Sequence, residues 1–136
     1  MALRLSAPIE KDFPLEKTDA LFGTEGTRVR IRQATQAQHE RRASLFATLI
    51  REYPEGEANS VRYVQRFSLP ELMRIEAFLT LIDSNIEDEA SRPLFQEGMS
   101  EAQFSRAWGR LPPAVATEIH DRVLEVNPDW RPEGEA

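Results

Sequence analysis

Cysteine is absent from the 136-residue chain. Its absence excludes disulfides, thiolate metal sites and a cysteine nucleophile together, and it suits a reducing cytoplasm. Histidine is scarce: His39 and His120 are the only two. Neither falls in an H-x-x-x-H or E-x-x-H frame, so the helical metal-ligand spacings are missing. Each lies at the edge of an apolar stripe and reads as a satisfied flank position, since a general base needs an oriented partner within hydrogen-bond reach. No apolar run approaches the ~20 residues that cross a bilayer. The stretch 1–10 has one arginine and no apolar stretch of signal-peptide length, so export is not expected. A glycine-rich phosphate loop is missing too: Gly23-Thr24-Glu25-Gly26 lacks the lysine and the following apolar helix, and reads as a turn. Carboxylates are plentiful, but none is singled out as a catalytic pair. The chain is therefore not expected to be an enzyme or to hold a metal or cofactor.

Charge is present but unevenly spread. The net of −6 divides into −2 over residues 1–27, +4 over 28–66 and −8 over 67–136. A basic middle could meet phosphates, yet single-stranded nucleic-acid binders interleave aromatics with their cations, and Arg28, Arg30 and Arg32 have no aromatic among them. Nucleic acid is not the expected partner. Charge complementarity between segments or subunits is.

The clearest local signals lie near the end of the chain. Ser100 and Gln103 form a reciprocal capping box ahead of Phe104, Ala107, Trp108 and Leu111, which recur at helical spacing. Pro112 cannot continue that helix, whereas Pro113 suits the first position of a new one. The apolar residues Val115, Ala116, Ile119, Val123 and Val126 then share a face, and Glu118 and Arg122 are spaced as an i, i+4 pair on the other. Asn127, placed before Pro128, ends the helix.

Earlier segments are read the same way. Residues 1–27 hold Pro8, Pro14, Gly23 and Gly26 without a sustained period, so an extended or flexible arm is expected, with Leu15, Leu21 and Phe22 as its docking candidates. Residues 28–32 alternate as a half-buried strand with Val29 and Ile31 on one side, and the arginine row on the other discourages edge pairing. Thr35 and Gln38 make a second capping box that opens a helix to Tyr53, with a stripe of Ala43, Phe46, Ala47, Ile50 and Tyr53. After the breaker Pro54-Glu55-Gly56-Glu57, the β-branched and aromatic residues of 61–67 predict a strand with Val61, Tyr63 and Phe67 on one face, paired with 28–32. A third capping box, Ser68 with Glu71, opens the expected central helix, whose apolar arc is Leu72, Ile75, Phe78, Leu79, Ile82 and Ile86. Residues 87–93 form an acidic linker.

The expected fold is mainly α, or α+β. About four helices, at 36–53, 69–83, 101–109 and 113–126, surround one core, with a small two-stranded β element at 28–32 and 61–67. The domain spans 28–130, between the arm at 1–27 and an acidic tail at 131–136. Trp108 falls on its helix stripe and is expected in the core. Leu45 and Leu49 lie off their stripe and would either widen the core face or face a partner, Met73 and Leu81 lie off theirs, and Trp130, beyond the last helix, would either cap the core or serve as an exposed anchor. These five are the candidate partner-binding residues.

A family resemblance rests on several of these stretches. The strand at 28–32 runs into Thr35-Gln36-Ala37-Gln38 and a helix, the segment VRYVQRFSLPEL follows at 61–72, and the chain closes with AWGRLPPAVATEIHDRVLEVNPDW. Over residues 18–133 this layout resembles the tail assembly chaperones of long-tailed bacteriophages. The resemblance implies a small, mainly helical protein of the host cytoplasm that binds the long, apolar tape measure protein during tail assembly, with the major tail protein as a second partner. It also implies absence from the finished virion. Such proteins often come in two lengths through ribosomal frameshifting, and the acidic end would suit the short form. Self-association into open arrays is expected from the basic middle and acidic end. A minor structural or connector protein of the tail, or a small host adaptor or regulator, are the alternatives.

Overall fold

A computed structural model describes residues 2–5, 7–47, 51–55, 62–66 and 69–132. It is an α+β fold whose centre is a strand, β2 (Arg28–Arg32). Val29 and Ile31 are fully buried, as the alternation predicts, while Arg28 is exposed and Arg30 and Arg32 are half-buried on the other face. Two neighbours flank it. On one side, β1 (Glu10–Pro14) pairs antiparallel with Phe13 opposite Val29, and on the other β5 (Leu81–Ser84) pairs antiparallel through a register shift between Arg30 and Ile31. The expected edge strand is thus the middle of a three-stranded sheet ordered β1-β2-β5. Its arginines are matched by acids on both neighbours. Arg30 grips Asp12 with Nε–Oδ1 at 2.9 Å and Nη2–Oδ2 at 3.2 Å, and Arg28 lies 3.4 Å from Asp83.

The segment 1–27 is more than an arm. It supplies β1 and then α1 (Glu16–Phe22), between which Leu15 is fully buried. Pro14 ends β1, where a strand end at a sheet edge tolerates its missing N–H. Of the other docking candidates, Leu21 and Phe22 stay largely exposed. Gly23 closes α1 in the left-handed conformation, and the predicted turn follows.

The helix predicted over 36–53 stops earlier, as α2 (Gln36–Ala47), and 51–55 is the strand β3 (Arg51–Glu55). Pro54 disfavours the α conformation at Tyr53, so the helical stripe could not extend that far. The strand predicted at 61–67 is present as β4 (Arg62–Arg66), but β3 is its partner, not β2. Two short sheets therefore replace the single ribbon. Ile50, Val61, Phe67, Ser68 and the tail positions 133–136 lie outside the described residues.

The central helix α3 (Leu69–Thr80) buries Leu72, Ile75 and Leu79 as expected. The predicted continuation to Asp83 is instead β5. Thr80-Leu81-Ile82 fits a helix face and a strand equally well, and the unsatisfied edge of β2 decides between them. Arg32 completes the change by donating through Nε and Nη2 to the Leu79 carbonyl, 3.2 and 3.1 Å away, at the helix C-terminus where a cation is favoured. The last two helices, α4 (Glu101–Gly109) and α5 (Pro113–Val126), have the predicted bounds. The capping box at Ser100 and Gln103 is formed, as is that at Thr35 and Gln38. Phe104, Trp108, Ile119 and Val123 join Val29, Ile31 and Ile75 in one core. A 3-10 turn, Pro128–Trp130, closes it.

Candidate functional site

The first constellation to consider is buried and polar. Glu76 lies on α3 and is 2% exposed, so its carboxylate must be paired to be tolerated there. Arg42 of α2 donates from Nε to Oε2 at 2.7 Å, and His120 Nε2 lies 2.7 Å from Oε1. The Arg42 guanidinium also sits 5.2 Å from the centre of the Trp130 ring, and the Trp130 indole N–H donates to His39 Nδ1 at 3.1 Å. Five side chains thereby tie α2, α3, α5 and the closing turn together. Among the described residues, Arg42, Glu76 and His120 line neither the groove beside β5 nor the smaller cavity beside α1. Their chemistry is spent on one another. Both histidines are engaged, which agrees with their reading as satisfied positions.

The inward face of α2 follows from this network. His39 and Arg42 point inward together with the half-buried Leu45 and Phe46, whereas Ala43 and Ala47 of the predicted stripe are exposed. Leu45 packs against the core. The helix has thus turned relative to its predicted face, because two polar side chains find partners inside.

The second constellation is a groove of about 510 Å³. It lies between β5, the C-terminal half of α3 and the segment leading into α4. Phe78 and Leu79 come from α3, Leu81 and Ile82 from β5, Phe95 and Met99 from the linker, and Phe104 from α4. Three phenyl rings meet there: Phe104 lies 5.4 Å from Phe78 and 5.2 Å from Phe95, centre to centre. Charged groups, Arg32, Arg41, Asp83 and Glu97, stand around this apolar floor. The size lies within the range that accepts a small ligand or a few side chains of a partner. Among the described residues no three histidine, aspartate or glutamate side chains come together as metal ligands. No described helix is long and apolar enough to cross a membrane.

The four described candidate partner residues, Leu45, Met73, Leu81 and Trp130, do not form one surface. Leu81 lines the groove, and Leu45 and Met73 are half-buried elsewhere. Leu49 lies outside the described residues. Trp130 is 5% exposed, so it closes the core and is not an exposed anchor. The acceptor at His39 is what lets the indole be buried. Phe95 and Met99 were missed. Their signal was the apolar pair Leu94-Phe95, with Met99 shortly after, in the otherwise polar stretch that follows the acidic linker. Glu76 was missed as well, although a charged residue four positions after Leu72 and three before Leu79 stands in the middle of the apolar arc.

Electrostatics sharpen a third contact, at Glu118. Its predicted partner Arg122 instead bonds Glu125 at 2.7 Å, and Glu118 is buried against the start of α1. Burial pushes its carboxyl up, but the bonds from Thr18 and from the Lys17 amide outweigh that, so it ionises below the ordinary glutamate range. No protein-family model matches the chain, and no curated protein or solved structure matches it.

Proposed function

We propose that this protein is a tail assembly chaperone of a long-tailed bacteriophage, which holds an apolar segment of the tape measure protein in the groove beside β5. The observation that carries the reading is the groove itself: an apolar floor of Phe78, Phe95, Met99 and Phe104 within a charged surround. A holdase needs such a surface, small size and no reaction. A side chain of the client entering there would leave water for the rings, while the surrounding arginines and acids keep the client-free protein soluble. The layout resemblance over 18–133 supplies the identity of the client, and with it a role in the host cytoplasm, a second contact with the major tail protein and absence from the mature virion. The buried polar residues fit this reading because they are consumed in holding helices together.

Co-expression with the tape measure protein in a bacterial host tests it. The client is expected in the pellet when expressed alone and in the soluble fraction, co-purifying, when this chain is present. A client that stays in the pellet alongside soluble chaperone would end the proposal. Recovery of the chain from purified virions by mass spectrometry would replace it with a structural role in the tail.

A further inference from the structure

Residues 2–5 and 7–9 stand outside the packed body. Every described residue among them is exposed, with Leu3 and Leu5 at 90% and Ile9 at 55%. In the sequence Leu3, Leu5, Ala7 and Ile9 alternate with Arg4, Ser6 and Pro8. Extended, such a segment puts its apolar side chains in one row, a pattern that belongs against another surface.

The complementary surface is the outer side of β5. The order β1-β2-β5 makes β5 an edge strand, and among the described residues no backbone group pairs with its outer side. The groove is bordered by Leu81, Ile82 and Asp83 in succession. Three successive residues of β5 border the cavity, so it runs beside the strand along much of its length. A strand entering there would meet free N–H and C=O groups, and every second side chain would drop onto Phe78, Phe95 and Phe104.

Chain length decides which copy supplies that strand. The Ile9 carbonyl is held beside β2 by the Gln33 amide at 2.7 Å, so the segment is rooted on the β1 side. A strand beyond β5 would lie three strand spacings away, about 14 Å. The four residues from Ile9 to Leu5 span at most about 13–14 Å when fully extended, and that whole length would be used crossing the end of the sheet. Leu5 therefore cannot run along β5 of its own chain.

We propose that residues 3–7 of one copy add as a strand to the β5 edge of a second copy, seating Leu3 and Leu5 in its groove. Donor and acceptor are different surfaces, so the contact is heterologous and repeats into an open array unless rotation closes it. The association does not depend on what the client is. That self-association and client binding compete for one groove does rest on the proposed function.

The cysteine-free sequence makes the test direct. Chains carrying Leu5→Cys and chains carrying Glu97→Cys, whose residue lines the groove, are mixed and oxidised. A disulfide-linked heterodimer is expected at least threefold above that formed with Asp121→Cys, an exposed position on α5. In parallel, light scattering on the wild type should give a mass that rises with concentration above 15.6 kDa. Leu3→Glu with Leu5→Glu should stay at that mass with unchanged melting, because both side chains are exposed. Cross-linking no greater than at Asp121, or equal masses for wild type and the double variant, would overturn the proposal. So would a disulfide that forms only within a chain carrying both Leu5→Cys and Glu97→Cys.

Discussion

The carboxylate of Glu118 caps the first turn of α1, far earlier in the chain: its Oε1 accepts the amide of Thr18, 100 residues away, at 2.8 Å. Its Oε2 accepts the Lys17 amide at 2.9 Å. The helix in question, α1, has Leu15 at its N-cap and no side-chain cap of its own. Two amides that would otherwise lack acceptors are thus satisfied from α5, and a negative charge sits where the helix dipole favours it.

Replacing Glu118 should loosen this junction in proportion to what remains. Glu118→Ala leaves the buried Thr18 amide and the part-buried Lys17 amide without this acceptor and is expected to cost about 1–3 kcal/mol in urea unfolding. Glu118→Gln keeps one acceptor oxygen and should cost less. The contribution is also pH-dependent. The folded carboxyl titrates below its ordinary value near 4.5, so its stabilisation is complete above that value and is lost as pH falls through the lower folded one. The gap between wild type and Glu118→Gln should be full at pH 7 and shrink below pH 4.5. Asp12, held down by Arg30, and Asp19, held down by Thr24, shift in the same direction and steepen the acid limb of both proteins.

Glu76→Leu should be worse than a change of one side chain suggests. It leaves Arg42 and His120 facing each other without the carboxylate, and breaking a buried ion pair from one side costs about 3–5 kcal/mol. Changing Arg42, Glu76 and His120 together to leucine or methionine should recover most of that loss. Urea midpoints for the single and triple variants check both halves.

Asn127 deserves a variant of its own because it joins the end of β2 to the end of α5. Its Oδ1 accepts the Ala34 amide at 2.8 Å, and its Nδ2 lies 3.2 Å from the Arg32 and Val123 carbonyls. Asn127→Ala should cost about 1–3 kcal/mol. It should also speed amide exchange at Ala34 relative to Ile31.

Leu79→Asp places a charge at a position 6% exposed in the core. Unfolding or aggregation is expected, read as loss of the cooperative thermal transition. A wild-type melting curve would remove Leu79 from the core.

The legible parts of the fold were those whose signals are local. Ser100 with Gln103, Pro113 at a first helical position and Asn127 before Pro128 mark both ends of α4 and α5 within a few residues. The sheet was only partly legible, since the partners of β2 lie about 20 residues before it and 50 after it, and pairing leaves no mark at that range. Thr80-Leu81-Ile82 carries both helical and strand periodicity, and only the partner decides. The site was less legible still. Leu81 was identified, but Phe78 and Phe104 were assigned wholly to the core, and Phe95 and Met99 reach the groove through a linker with no period.

The groove's role is tested most directly by blocking it without unfolding the chain. Ile82 and Met99 line it and are half-buried, so Ile82→Glu with Met99→Glu should keep a cooperative melt while placing two charges on the apolar floor. Co-expressed with the tape measure protein, wild type is expected to hold the client in solution and the folded double variant to leave it in the pellet. A folded double variant that keeps the client soluble as well as wild type does would contradict the assignment of this groove.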